Sequence, residues 1–147
     1  MCSSDLDLQC ALGMAQLPRL AAWVARRREI AAIYDREFAD LAFARPLVAK
    51  SDRTHAYHLY VIEIDPAALG YDRNEAFNRL RAAGIGANVH YSPVHLMSFY
   101  RERFGARPGD APVAEQAAQR ILSLPVFPLM SDDDIARVVA CVRGLAG

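Results

Sequence analysis

Four histidines, at positions 55, 58, 90 and 95, are the side chains best suited to proton transfer or metal ligation near neutral pH. Two stretches pair them with phenols, Tyr57-His58 and His90-Tyr91-Ser92-Pro93-Val94-His95. As metal ligands they are poorly placed, because the 55/58 and 90/95 spacings match no common site and no cysteine or carboxylate adjoins them. No metal is expected. Each histidine taken alone suits a hydrogen-bonding role at a strand end. The 90–95 stretch, in contrast, sets imidazole and phenol groups where a strand gives way to irregular backbone, which makes it a candidate binding loop. No nucleophile–base pairing is visible, and Gly84-Ile85-Gly86 follows a helical stretch instead of opening one, so it is no phosphate loop. Local chemistry alone leaves the function open.

The other reactive side chains are few. Cys2, Cys10 and Cys141 are odd in number and share no short spacing, so neither a disulfide framework nor a zinc site is indicated. Cys10 and Cys141 are expected as small buried residues on helices. Lys50 is the only lysine, and it sits in the polar run Lys50-Ser51-Asp52-Arg53, which reads as a surface loop.

The elements that must position these groups follow from periodicity. Apolar residues three or four apart from Leu8 to Leu41 predict helix over about 7–41, kinked or restarted at Pro18. Arg26, Arg27 and Arg28 are expected on a solvated face of that helix. Tyr57 to Ile64 is rich in aromatic and β-branched residues and predicts a buried strand. Asp72 with Glu75 forms a capping-box pattern ahead of a helix, and Gly84-Ile85 fits its left-handed end. A short strand is expected over about 87–91, a turn or two of helix within 95–104, and a helix over 113–122. Leu124 to Pro128 reads as an edge strand, and Ser131 with Asp134 caps a last amphipathic helix. Short strands alternating with amphipathic helices predict an α+β domain, a small, mostly antiparallel sheet packed with helices.

At 147 residues the chain is one domain's worth, with 53% hydrophobic and 23% charged residues and a net charge of zero. That balance gives no electrostatic reason to expect nucleic acid or an anionic membrane as partner. No apolar run approaches the roughly 20 residues of a membrane span, and the start lacks the layout of a signal peptide. A cytoplasmic location is the resulting expectation.

Four segments in order resemble the C-terminal part of the DegT/DnrJ/StrS family of sugar aminotransferases. They are Asp7 to Leu17, Tyr57 to Val61, Gly84 through His95, and Leu122-Ser123-Leu124-Pro125. The stretch from His90 to His95, with Tyr100-Arg101 and Leu124 to Pro128, is most similar to the PseC type. That type aminates C4 of a UDP-linked 4-keto-6-deoxy amino sugar on the route to pseudaminic acid. The resemblance implies a fold-type I enzyme with pyridoxal 5'-phosphate on a lysine, L-glutamate as amino donor, and a homodimer with active sites between subunits. It also implies that His90, Tyr91 and His95, and more weakly Tyr57 and His58, line the nucleotide-sugar pocket. The family's lysine lies in a Ser-x-x-Lys stretch, and Lys50 follows Leu47-Val48-Ala49 instead. Residues 7–147 are therefore expected as the small domain without its cofactor-bearing half. No catalytic residue is expected here, no covalently bound cofactor, and no activity from the chain alone. Met1 to Leu6 fall outside the resemblance and are expected as a leader foreign to the fold. Two alternatives stay open: amination at C3 or C4 of a dTDP-sugar in the same family, and a standalone ligand-binding α+β module.

Overall fold

The computed structural model describes residues 3–147; Met1 and Cys2, which open the expected leader, lie outside the described residues. Helix α1 spans Ser3–Gln16 and helix α2 spans Leu20–Glu37, joined by a 3-10 turn at Leu17–Arg19 that contains Pro18. The restart at Pro18 thus has its expected cause, a ring that cannot continue the helical ladder. Every residue from Leu6 to Leu20 is exposed, Leu8 at 74% and Met14 at 74%. Only in its second half does α2 enter the core, through Ile30, Ala31 and Tyr34, with Phe38 just past its end.

Three antiparallel strands make the sheet, in the order β1 (Ala44–Pro46), β2 (Tyr60–Ile64), β3 (Ile121–Leu124). The register pairs Ala44 with Ile64 on one side of β2 and Tyr60 with Leu124 on the other. Along β2, Tyr60, Ile62 and Ile64 are buried while Val61 and Glu63 are half-buried, the alternation of a strand with one face in the core. Helices α3 (Pro66–Leu69), α4 (Arg73–Ala82), α5 (Ser98–Phe104), α6 (Pro112–Ala118) and α7 (Asp132–Arg143) complete the α+β architecture.

The expected caps form, although at α4 the box is one-sided, the Glu75 carboxylate accepting from Arg79 at 2.9 Å instead of from the Asp72 amide. The Asp72 carboxylate accepts from the Glu75 amide at 2.9 Å, and Ser131 with Asp134 closes a reciprocal capping box. Gly84 adopts φ +77°, and the Ile85 amide returns to the Leu80 carbonyl at 2.9 Å. A side chain at Gly84 would also meet the guanidinium of Arg137, which donates to the Ala83 carbonyl at 2.8 Å.

The strands depart from expectation in four places. The strand expected from Tyr57 begins at Tyr60, because Tyr57 has φ +47°, outside the extended region. Arg45 and Pro46, at the start of the 45–54 stretch that Pro46 and the polar run predict as loop, belong instead to the edge strand β1, where Pro46 needs no ladder donor on the outer side. The strand expected over 87–91 contracts to a single bridge between Asn88 and Ser123. The strand expected over 124–128 lies upstream, ending at Leu124, because Pro125 has no amide to donate. The preceding helix correspondingly stops at Ala118, short of the expected 122.

Cys10 is exposed and Cys141 half-buried, so the expectation of two buried thiols fails; α1 has no neighbour to bury Cys10 against. The arginine cluster is also less solvated than expected. Arg26 donates to the Met130 carbonyl at 3.0 Å and to Asp132 at 2.9 Å, which ties α2 to the start of α7.

Ile62 is fully buried at the centre of the sheet. Ile62→Ala should cost about 2–5 kcal/mol of unfolding free energy in urea titration, whereas Leu8→Ala on exposed α1 should stay within about 0.5 kcal/mol.

Candidate functional site

The five residues expected to line a pocket fall into two groups, and the sheet register shows where each lies. Tyr57 and His58 precede β2 at the end where Tyr60 faces Leu124. Asn88 pairs with Ser123 in the antiparallel sense, so the chain running on to His90 heads toward the Ile121 end of β3. Tyr57 and His58 thus lie at the Leu124 end of β3, while the segment after Asn88 runs toward the Ile121 end with the His90 ring anchored at Ser123.

At the first end, a 3-10 turn at Val94–Leu96 and α5 follow the 90–93 segment. His90 Nδ1 lies 2.8 Å from the Ser123 hydroxyl, and Ser123 is a buried polar residue of β3. His90 is therefore held by the sheet, with its ring edge-on to Tyr91 at 4.6 Å. Tyr91 itself is 68% exposed and free to meet a ligand. His95 is half-buried, and its Nε2 lies 2.9 Å from Glu115 of α6. Glu115 also accepts from the amides of Gly109 at 2.8 Å and Ala111 at 3.4 Å. One carboxylate thereby gathers the 105–111 loop, α6 and His95. Neither Ser123 nor Glu115 was flagged by spacing, since each meets its histidine only through tertiary folding.

At the second end, Tyr57 is half-buried while His58 is exposed. The Tyr57 amide donates to His55 Nδ1 at 3.0 Å, and the His55 ring stands edge-on to Tyr57 at 4.5 Å. Burial, together with the charge of Asp35, pushes the Tyr57 phenol above its ordinary pKa. Tyr57 lines a groove of about 600 Å³ with Asp35, Arg45 and Glu63.

Lys50 is exposed, and it contributes to neither of the cavities lined by its neighbours Leu47, Val48 and Ala49. The residues present therefore do not fit pyridoxal phosphate as a group held by this chain. Among the described residues no group of three or more His, Cys, Asp or Glu converges as a metal site. No described helix is long and apolar enough to cross a membrane.

Comparison with known proteins agrees with this architecture. The profile of the DegT/DnrJ/EryC1/StrS aminotransferase family matches residues 6–143. The spore coat polysaccharide biosynthesis protein SpsC of Bacillus subtilis is 40% identical over 140 residues, covering 95% of this chain and 36% of SpsC. The crystal structure of S. venezuelae DesV in complex with a ketimine intermediate superposes with a TM-score of 0.83 at 33% identity, over 94% of this chain and 36% of that one. Helicobacter pylori PseC, an aminotransferase involved in pseudaminic acid biosynthesis, gives a TM-score of 0.81 at 25% identity, over 93% and 36%. The chain thus spans about a third of the length of these relatives.

The amides and His95 hold the Glu115 carboxylate below the ordinary glutamate pKa, with His95 the largest cause. A depressed folded pKa contributes stability that is complete above the unfolded value and is lost as pH falls through the folded one. The Gly109 and Ala111 amide resonances should therefore titrate together below the usual glutamate range. Glu115→Gln should abolish that transition in an NMR pH series.

Proposed function

The chain belongs to the DegT/DnrJ/EryC1/StrS aminotransferase family, and from that premise we propose that it is the C-terminal small domain of a sugar-nucleotide aminotransferase. The proposed reaction moves an amino group from L-glutamate to C4 of a UDP-linked 4-keto-6-deoxy amino sugar. Pyridoxal phosphate and its lysine belong, in this reading, to the part of the enzyme outside this chain, which leaves the chain alone inactive. The observation that carries the reading is the 140-residue match to SpsC, reinforced by superposition on PseC.

The chain's own contribution is binding and positioning. Tyr91 offers an exposed phenol, and His95, held through Nε2, keeps Nδ1 for a sugar or phosphate oxygen. Glu115 fixes the His95 imidazole ahead of binding, which lowers the ordering cost, whereas both ring nitrogens of His90 are engaged, by Ser123 at 2.8 Å and the Asn88 amide at 3.4 Å, so His90 positions Tyr91 instead of offering a free ring nitrogen. The exposed apolar side chains of α1 and the following turn support docking against another part of a larger protein, since Leu6, Leu8 and Leu12 of α1 and Leu17 of the turn are all more than half exposed. In this reading the enzyme is a homodimer with active sites between subunits, as the family resemblance implies. A standalone binding module is the less favoured reading, because it has no use for that exposed helix. Amination of a dTDP-sugar at C3 or C4 is separated by substrate rather than by fold.

The test is a chimera in which this chain replaces the matching segment of SpsC. It should transfer the amino group from glutamate to a UDP-4-keto sugar, and preference for a dTDP-sugar would move the assignment within the family. In that chimera His95→Ala should lower efficiency with the sugar by about 5- to 150-fold, the loss of one hydrogen bond of about 1 to 3 kcal/mol. The half-reaction with glutamate should be largely spared. The isolated chain mixed with pyridoxal phosphate and borohydride should carry no stoichiometric label on Lys50, as mass spectrometry would show.

A further inference from the structure

The three consecutive arginines of α2 meet different fates. Arg26 is fully engaged by Glu29, Asp132 and the Met130 carbonyl. Arg27 and Arg28 form no ion pair with any carboxylate among the described residues. Arg27 reaches the irregular segment before β2, where its Nη1 donates to the Tyr57 carbonyl at 3.5 Å. That is long for a charge-assisted bond, which normally closes to about 2.7–2.9 Å. Its Nε is buried and has no acceptor among the described residues. A half-buried guanidinium with one stretched bond and one orphaned donor is costly unless something further accepts from it.

The segment it meets is itself under constraint. Tyr57 holds φ +47°, a conformation that a bulky residue rarely adopts unless its surroundings impose it. That turn brings the Tyr57 amide onto His55 Nδ1 and the two rings together at 4.5 Å. Asp35, the carboxylate beside the Tyr57 phenol, already accepts from the Tyr60 hydroxyl at 2.7 Å. Arg27, an imidazole and a phenol therefore meet at one constrained turn, and Arg28 follows Arg27 on α2 with its side chain exposed.

We propose that Arg27 and Arg28, with His55 and Tyr57 beside them, form a binding site for an oxyanion, a carboxylate or a phosphoryl group. Arg27 supplies a planar fork suited to two oxygens, and Arg28 supplies a second, solvent-facing charge. The Tyr57 turn presents the loop side of the site. This assignment rests on the arginines and the turn, and it holds whichever sugar the enzyme uses.

The experiment is an NMR titration of the 15N-labelled chain, at constant ionic strength, with inorganic phosphate and separately with glutarate. The expected result is saturable movement of the Arg27 Nε–H resonance and of the amides at 55–58. Tighter binding of phosphate would assign the site to a phosphoryl group, and tighter binding of glutarate to a carboxylate. Arg28→Gln changes an exposed side chain and should keep the fold while weakening the anion by about tenfold. Arg27→Lys keeps the charge, loses the fork, and should weaken it as well. Shifts that grow linearly without saturation, or saturable shifts that survive both substitutions, would overturn the site. Arg27 would then be only a strut between α2 and the Tyr57 turn.

Discussion

Two buried phenols hold the domain together. Tyr34 of α2 donates to the Pro125 carbonyl at 3.0 Å, and Tyr60 of β2 donates to Asp35 at 2.7 Å, with the two rings edge-to-face at 5.0 Å. Burial pushes both hydroxyls well above the ordinary tyrosine pKa, and for Tyr60 the Asp35 carboxylate adds to the effect. Both therefore keep their protons and remain donors. Through them α2, the central strand and the segment after β3 are fixed to one another, and Phe38 stacks on Tyr34 at 5.5 Å to extend the cluster. Without that junction the sheet would have no defined angle to α2, and neither loop end would have a fixed place.

The loops inherit their geometry from the sheet. His90 is set by a hydroxyl of β3, and His95 by a carboxylate of α6 that also collects two loop amides. At the other end the Tyr57 turn is set by its entry into β2 and by contact with α2. His90 and His95 thus each depend on a partner remote in sequence, the usual arrangement when a rigid scaffold carries an irregular loop.

That dependence also marks what the sequence could say. Helix caps at Asp72, Gly84 and Ser131 were legible because both partners lie within a few residues of one another. The antiparallel α+β class was legible from alternation, and the positions of His90, Tyr91 and His95 from a resemblance in order. The start of β2 was not, because the positive φ at Tyr57 is imposed by tertiary contacts and tyrosine itself favours extended backbone. Strand β1 is three residues long and exists only by pairing with β2. Cys10 was misplaced for a related reason: the periodicity of α1 marks an apolar face, and a face does not say what covers it. Ser123, Glu115 and Arg27 escaped because a serine, a glutamate and an arginine in a row of arginines carry no signal until the fold brings them to their partners.

The isolation of α1 changes how unfolding of this chain must be followed. Fourteen helical residues attached through a proline-containing turn, and exposed from Leu6 onward, behave much as a peptide helix does, with weak cooperativity and broad fraying. Far-ultraviolet dichroism then sums a gradual melt of α1 with the sharp loss of the sheet domain. The single tryptophan, Trp23, is half-buried on α2 and its emission follows the domain itself. The two signals should not coincide, and a two-state fit to helicity alone would understate the cooperativity of the core.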